Sequence, residues 1–260
     1  MTQTDLDRAH AAMEAAADDD TARLAFYDRL ADSELALLLT REPDGDRIDP
    51  ETVDIDGVTY VLAFDREDRL ATFTGRAAPY ASVPGRALMQ MLAGQGIGLA
   101  LNPEVAPSAI LIPSEAVDWL AEALLNRPEE AEARLTEILP PKGLPQGLLD
   151  ALSRKLGRTA GLAKTAWLAA ARYEGGGHGH VLAFVDAAPN AETALAHAAG
   201  EALTFSGIEA GVIDVLFVAE GDSLTARLAR VGLRLDLPDP AQPAAPPPPG
   251  SDPARPPKLR

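Results

Sequence analysis

The residues that could do chemistry lie mainly in one segment, residues 80–113, which is dense in glycine, proline and isolated polar side chains. Arg86 stands at the predicted start of a helix, where a cation opposes the helix dipole. Its guanidinium can bind the carboxylate of a partner or a small ligand, or it can pair with an acidic residue of the chain itself. Loops on a rigid scaffold often carry function. The residues we expect on a binding surface are Pro84, Gly85, Arg86, Gly94, Gly96, Gly98, Asn102 and Pro103, with Thr204 and Ser206 as further polar contacts.

Gly94, Gly96 and Gly98 invite comparison with a nucleotide-binding loop. A phosphate cradle needs a strand, then the glycines, then the N-terminus of a helix. Here the glycines follow a predicted helix and precede a predicted strand, and their spacing differs from the dinucleotide fingerprint. The order favours a helix cap and a close approach of two backbones over nucleotide binding.

His178 and His180 form the one closely spaced histidine pair, and they are weak candidates for metal ligands. On a strand, residues i and i+2 share a face, so the two imidazoles could bind a metal with Glu174 as a third ligand. Three consecutive glycines at the predicted hairpin tip are unfavourable for a preorganised site. We therefore expect no metal and no cofactor.

Catalytic signatures are not recognisable in the sequence. The run Thr204-Phe205-Ser206-Gly207 lacks the leading glycine of a nucleophile elbow and follows a predicted helix. The chain has no cysteine, so it has no thiol nucleophile and no disulfide. No P-loop, zincin or kinase motif occurs. We expect no catalytic residue, and an unrecognised hydrolase or transferase is the third functional hypothesis.

Composition narrows the classes of partner. The 260 residues include 39 acidic and 23 basic side chains, which gives a net charge of −16. The basic residues are scattered, whereas a nucleic-acid-binding protein needs a clustered basic face. An acidic chain is also repelled by anionic lipid surfaces, and no apolar run reaches the length of a membrane span. We expect a cytoplasmic protein whose partner is another protein, not nucleic acid or a membrane.

Hydrophobic periodicity in the first half predicts helices followed by antiparallel strands. Thr4 is the expected cap of the first helix. Residues 58–64 are the strongest strand, preceded by the hairpin signal Asp56-Gly57. Residues 70–73 are predicted to pair back as a strand.

The central segment predicts a helix and two short strands. Ser82 is expected to cap the helix and Gly94 to end it. Residues 97–101 and 109–112 are short apolar runs, typical of buried strands.

The second half predicts a charged linker helix over residues 128–139 and then a second sheet. Residues 165–173 and 180–186 form a hairpin with a glycine-rich turn. We expect an α+β protein of two associated domains, each a small, mostly antiparallel sheet with helices packed on it. The expected boundaries are 1–126 for the first domain, 127–143 for a helical linker, 144–237 for the second domain and 238–260 for a tail.

The tail, residues 238–260, is rich in proline and poor in large apolar side chains. Such a segment cannot bury enough surface to fold, so we expect it to be disordered and partly polyproline II. It is either a solvated tail or a ligand for a proline-binding groove.

Four stretches carry a family resemblance: residues 80–113, 114–120, 201–211 and 231–237. They resemble the SseB ("enhanced serine sensitivity") family, and the similarity extends over residues 5–237. It implies an amino-terminal and a carboxy-terminal SseB domain and a link to amino-acid physiology. It supplies no catalytic residue, cofactor or substrate.

Two functional hypotheses rank above the unrecognised hydrolase or transferase. The first is a non-catalytic regulatory or adaptor protein that binds another protein. The second is a sensor of an amino acid or related carboxylate, in which Arg86 binds the carboxylate and Asn102, Thr204 or Ser206 supplies polar contacts. An enclosed polar cavity beside Arg86 would favour the sensor, and an exposed apolar surface would favour the adaptor.

Overall fold

Two β-sheets, one from each half of the chain, carry the fold of this computed structural model. The structure describes residues 3–45, 47–125, 135–207 and 213–239. Eight helices and eleven strands lie in these ranges. The chain is an α+β protein, as predicted.

The first half contains five helices and six strands. In chain order they are α1 (Asp5–Ala15), α2 (Asp20–Ala31), β1 (Glu34–Leu38), β2 (Thr52–Ile55), β3 (Val58–Phe64), α3 (Glu67–Thr74), β4 (Tyr80–Pro84), α4 (Gly85–Leu92), β5 (Gly98–Leu101), β6 (Ile110–Ile112) and α5 (Ser114–Leu125).

The first sheet has the strand order β4-β1-β3-β5-β6, with β2 also paired to β3. Only β3 and β5 run parallel among these pairs; the others are antiparallel. Successive side chains of a strand point to opposite faces. Val61 and Ala63 therefore pack into the main core, beneath α1, α2, α4 and α5, while Leu62 and Phe64 enter a smaller core beneath α3.

The second half repeats this arrangement with fewer helices. Its elements are β7 (Leu135–Leu139), α6 (Gln146–Leu156), β8 (Thr165–Tyr173), β9 (His178–Val185), α7 (Glu192–Thr204), β10 (Ile213–Val218), α8 (Ser223–Val231) and β11 (Leu233–Leu235). The sheet order is β10-β9-β8-β11, β7 pairs with β8, and β9 and β10 run parallel. Helices α6 and α7 cover one face and α8 covers the other.

Phe205 joins the two halves. It follows α7, yet its side chain is fully buried in the core of the first half. Its ring meets Trp119 of α5 edge-on, with ring centroids 6.3 Å apart. A buried aromatic side chain contributes a large apolar area, so this residue fixes the second half against the first.

Several local signals are confirmed. Thr4 caps α1 and forms a reciprocal capping box with Asp7. Asp56 and Gly57 both have positive φ, as a tight hairpin turn requires. Gly94, with φ 73°, lies just after α4.

Two predictions near the central segment are wrong. Residues 70–73 lie in α3 and not in a strand, because α3 ends in a left-handed Gly75 and its residue Arg69 is held by buried carboxylates. Ser82 does not cap α4; it lies in β4, which pairs along its whole length with β1, and its hydroxyl donates to Glu34.

The predicted linker helix is wrong for its last five residues. Leu135–Leu139 forms β7, which pairs antiparallel with β8 and buries Ile138. The unpaired edge of β8 offers ladder hydrogen bonds that outweigh the local helical pattern. The rest of the predicted linker helix, residues 128–134, lies outside the described residues. So does most of the predicted tail, residues 240–260.

Across the four described ranges, each helix is too short or too polar to cross a lipid bilayer.

Candidate functional site

Gly85 sets the position of Arg86. The backbone N–H of Gly85 donates to the carbonyl of Ser33, at 2.7 Å. A Cβ atom at Gly85 would lie 2.0 Å from the carbonyl oxygen of Leu30. Only glycine therefore lets α4 begin this close to the end of α2. The contact places the next residue, Arg86, over the last turn of α2.

Arg86 bridges the two halves. Its Nη2 donates to Oδ1 of Asp32 at 2.9 Å, and its Nη1 donates to Oε1 of Glu201 at 3.0 Å. A further hydrogen bond runs from Nη2 to Oε2 of Glu201, at 3.3 Å. The guanidinium thus forks onto one carboxylate from each half, in the bidentate geometry that suits arginine.

Lys155 lies at the centre of the same cluster and is only 4% exposed. Its Nζ is 2.6 Å from Oδ1 of Asp28, 3.1 Å from Oδ2 of Asp32 and 2.8 Å from Oε2 of Glu201. The ammonium also lies 5.7 Å from the ring centroid of Phe205. A buried ammonium needs such partners because it has lost its water.

We call this group the inter-half ion cluster. Arg158 also belongs to it, with Nη1 2.9 Å from Oδ2 of Asp32, and Arg154 lies at its edge, with Nη2 3.6 Å from Oδ2 of Asp28. Four members lie on helices α2, α4, α6 and α7, and the other two lie just after α2 and just after α6. The members are Asp28, Asp32, Arg86, Lys155, Arg158 and Glu201.

The surroundings favour the charged forms of Asp32, Glu201 and Lys155. Burial pushes the pKa of Asp32 upward, but the charges of Lys155 and Arg158 outweigh burial, so its pKa lies below the usual value. The pKa of Glu201 is lowered in the same way, with burial opposed by Lys155 and Arg86. Burial lowers the pKa of Lys155, and the three neighbouring carboxylates raise it by more.

A second buried network lies at the end of β3 and β5, around Arg69. Arg69 is 2% exposed; its Nη1 donates to Oδ1 of Asp7 at 2.9 Å and to Oδ1 of Asp65 at 2.8 Å. Burial raises the pKa of Asp7, but hydrogen bonds from Arg69 and Ser108 lower it by more. The pKa of Asp7 therefore lies well below its usual range. This network is therefore also charged at neutral pH.

Asn102 belongs to this Arg69 network. Its Nδ2 donates to Oγ of Ser108 at 2.9 Å, and its Oδ1 accepts the backbone N–H of Asp65 at 3.1 Å. Ser108 in turn donates to Oδ1 of Asp7 at 2.6 Å. Asn102 is fully buried with φ 48°, a left-handed conformation that asparagine tolerates. Both polar atoms of its side-chain amide therefore form hydrogen bonds that hold two loops together.

An open cleft of about 250 Å³ separates the two charged groups. Thr4 and Asp65 line the cleft beside the Arg69 network, and Asp32 and Arg158 line it beside the ion cluster. Its other lining residues are Asp5, Leu6, Arg29, Ser33 and Glu34. The cleft is open to solvent, and its lining includes Asp32 and Arg158 of the ion cluster.

The remaining predicted site residues are spread over separate places. Thr204 donates to the carbonyl of Gly200, and the buried Ser206 donates to that of Leu203. Gly98 begins β5, where a Cβ atom would meet the ring of Tyr60 at 2.6 Å, and it lies at the opposite end of that strand from Asn102.

Other members of the predicted surface are closer to solvent. Pro84 is exposed just before α4, and Pro103 is half-buried after Asn102. Gly94 and Gly96 lie in an exposed turn with open space around them. The structure thus divides the predicted surface instead of bringing it into one site.

His178 and His180 lie on β9, next to the hairpin tip. His180 Nε2 is 3.2 Å from the carbonyl oxygen of Lys142, and His178 is exposed opposite Arg172. Within the described part of the chain, no group of three His, Asp or Glu side chains is arranged to hold a metal ion.

An outward apolar surface lies where α4 and α5 meet. Met91 is 43% exposed, Trp119 40% and Leu125 60%. The backbone N–H of Gly94 donates to Oδ1 of Asp118 at 2.7 Å, which brings the end of α4 to the residue before Trp119. We call Met91, Gly94, Gly96, Trp119 and Leu125 the α4–α5 surface. Sequence reasoning found only its glycines, because an outward position on an amphipathic helix, such as that of Trp119, does not by itself distinguish a binding residue from an ordinary surface residue.

Part of the first half is similar to a known protein family. Residues 9–119 match the family model of the SseB protein N-terminal domain. The first half is therefore similar to an SseB N-terminal domain. This SseB match includes the first sheet, Arg86, Asn102 and most of the α4–α5 surface. It ends before β7, so a carboxy-terminal SseB domain stays a prediction. No curated protein and no solved structure matches the chain.

Proposed function

We propose that this SseB-type protein is a non-catalytic regulatory or adaptor protein that binds another protein through its α4–α5 surface. The observation that carries the proposal is that Met91 of α4 and Trp119 and Leu125 of α5 are each at least 40% exposed, on two helices that the hydrogen bond from Gly94 to Asp118 joins. Exposed apolar side chains that lie together are typical of protein-binding sites, and Trp and Met are enriched there.

The state of the polar candidates supports the same proposal. Arg86 is engaged by Asp32 and Glu201, and Asn102 is engaged by its own network. A general acid or base works best with a pKa near the working pH. Lowered pKa values at Asp32 and Glu201 suit structural ion pairs better than proton transfer.

The physiological role that we propose follows from the similarity to SseB proteins. The protein would act in the cytoplasm, in a process tied to amino-acid and in particular serine metabolism. Its partner is expected to be a protein that recognises the first half, since the SseB match covers that half.

Co-purification tests the proposal. Tagged wild-type protein and a Met91→Gln, Leu125→Gln variant would be recovered from the native cytoplasm and compared by quantitative mass spectrometry. Leu233→Gln is a matched control, because Leu233 is 41% exposed on the second half. We expect a stoichiometric partner with wild type and control and its loss with the double variant. Equal recovery from all three proteins would refute the proposal.

A second candidate, a sensor of a small carboxylate, is favoured by the cleft. Arg29, Arg158, Asp5 and Glu34 are among its lining residues, so it presents both charges to a zwitterion. Thermal shift of the protein with single amino acids, serine first, tests it. A rise in melting temperature that Arg158→Gln removes supports the sensor, and no rise with any amino acid excludes it.

A further inference from the structure

Trp119 and Tyr27 form a partly exposed aromatic pair on the first half. Their ring centroids are 5.6 Å apart and their planes are tilted by 55°. Trp119 is 40% exposed, and Tyr27 is half-buried beside it. Paired aromatic rings of this kind form the floor of sites that bind polyproline II segments.

Acidic side chains lie beside Trp119 on α5, while Arg23 lies near Tyr27 on α2. Glu115, Asp118 and Glu122 are exposed on the same side of the helix as Trp119, and α5 contains no basic residue. Glu115 and Glu122 flank Trp119 in sequence, and seven residues of helix separate them by about 10 Å. The surface therefore offers an aromatic centre between two carboxylates.

The chain itself contains a segment of complementary chemistry. Residues 240–260 hold nine prolines, three basic side chains and one acidic side chain, in a chain of net charge −16. Near the end, Arg255 and Lys258 enclose Pro256-Pro257. In polyproline II, residues i and i+3 lie on one side and are about 9 Å apart. That spacing matches the two carboxylates on either side of Trp119.

The tail is also long enough to reach this surface. Leu237 packs in the second-half core, and the carbonyl of Pro238 accepts a hydrogen bond from Gly161. From Asp239 to Pro256 an extended polyproline segment spans about 50 Å. That exceeds the radius of gyration of about 18 Å expected for a folded chain of this length.

We propose that the proline-rich tail of the same chain binds across α5, with Pro256-Pro257 on the Trp119–Tyr27 pair and Arg255 and Lys258 facing Glu115 and Glu122. Because Trp119 belongs to the α4–α5 surface, the tail covers part of the surface offered to a partner. The inference goes beyond the proposed function and holds for the protein alone, with or without a partner.

Fluorescence of Trp119 in the full-length chain tests the proposal. The chain has two tryptophans, so Trp167→Phe leaves Trp119 as the only one. In that background we would compare acrylamide quenching of the unmodified tail with that of Pro256→Ser, Pro257→Ser, Arg255→Ser, Lys258→Ser. Uncovering the indole is expected to raise the quenching constant about twofold. Pro240→Ser, Pro243→Ser is the matched control and should change nothing.

The reciprocal change is made on α5. Glu115→Gln, Glu122→Gln should raise quenching as much as the tail variant, and combining the two sets should add nothing further. Salt should act alike, since raising ionic strength from 0.01 M to 1 M shortens the Debye length from about 30 Å to about 3 Å. Circular dichroism and melting temperature verify that every variant is folded.

Two results overturn the proposal. Equal quenching of Trp119 in all variants means that the tail does not cover it. Quenching that changes as the protein is diluted means that the tail binds a second copy and not its own chain. Neither result bears on the binding of a partner, which co-purification measures separately.

Discussion

Removing the Lys155 ammonium should be among the most destabilising single changes in this protein. Lys155→Met keeps most of the side-chain volume but leaves Asp28, Asp32 and Glu201 close together without their central cation. Lys155 is 4% exposed, so solvent screening provides little relief. Breaking a buried ion pair by removing one partner costs about 3–5 kcal/mol. With a urea slope of roughly 2–3 kcal/mol/M, the unfolding midpoint should fall by about 1–2 M.

The two tryptophans make the assay specific for the join between the halves. Trp119 lies in the first half and Trp167 in the second, so Trp167→Phe and Trp119→Phe backgrounds report each half separately. In both backgrounds the protein with Lys155 should unfold at one urea concentration. With Lys155→Met the two transitions should separate, because the ion cluster is a main link between the halves.

The pH dependence of the free energy of unfolding provides a second test of this reasoning. Asp32 and Glu201 have folded pKa values below their unfolded values, so the stability that they contribute is present above the unfolded pKa of about 4. It is lost as the pH falls through the folded values. Without Lys155 these carboxylates gain less from ionisation, because only Arg86 and Arg158 remain as partners, so the gap between variant and wild type should narrow in acid.

Lys164→Met is the matched control. Lys164 pairs with Glu220, but both side chains are more than half exposed. Exposed ion pairs contribute little, so the urea midpoint should stay close to that of the wild type. A Lys155→Met midpoint equal to the Lys164→Met midpoint would refute our reasoning about the buried cluster.

Three further changes test the elements around the site, each by urea unfolding. Gly85→Ala should destabilise by about 1–3 kcal/mol, because its Cβ would collide with the carbonyl of Leu30, whereas Gly147→Ala in the open first turn of α6 should be neutral or slightly stabilising; equal effects would contradict the packing argument. Asn102→Asp should cost about 1–3 kcal/mol, because it loses the amide donor and adds a carboxylate beside Asp65; an unchanged midpoint would exclude a structural role. The whole protein should lose stability as the pH falls below about 4, since acids in both charged networks have lowered pKa values; a midpoint that is flat down to pH 2 would contradict this.

Local rules predicted the elements whose ends are set by neighbouring residues. The capping box at Thr4, the turn at Asp56-Gly57 and the glycine after α4 depend on a few consecutive residues, and the structure has all three. Residues 70–73 were misassigned because a short apolar run suits either a strand or a helix. The deciding interaction, between Arg69 and Asp7, joins residues 62 apart.

The candidate site was less predictable for the same reason. Arg86 was expected to bind a carboxylate, of a ligand or of the chain itself, and the structure supplies Glu201, which is 115 residues away. Lys155 gave no signal, because a lysine on an amphipathic helix is normally exposed. The contact of Trp119 with Phe205, 86 residues further along the chain, could not be predicted from the pattern of α5.

Photo-crosslinking from the α4–α5 surface tests the central claim most directly. A photoreactive amino acid would replace Met91 in one protein and Leu233 in another, since both are exposed to a similar extent on different halves. After irradiation in the native cytoplasm, we predict one dominant adduct from position 91 that is missing from position 233. The same adducts from both positions, or none from position 91, would contradict a partner-binding function for this surface.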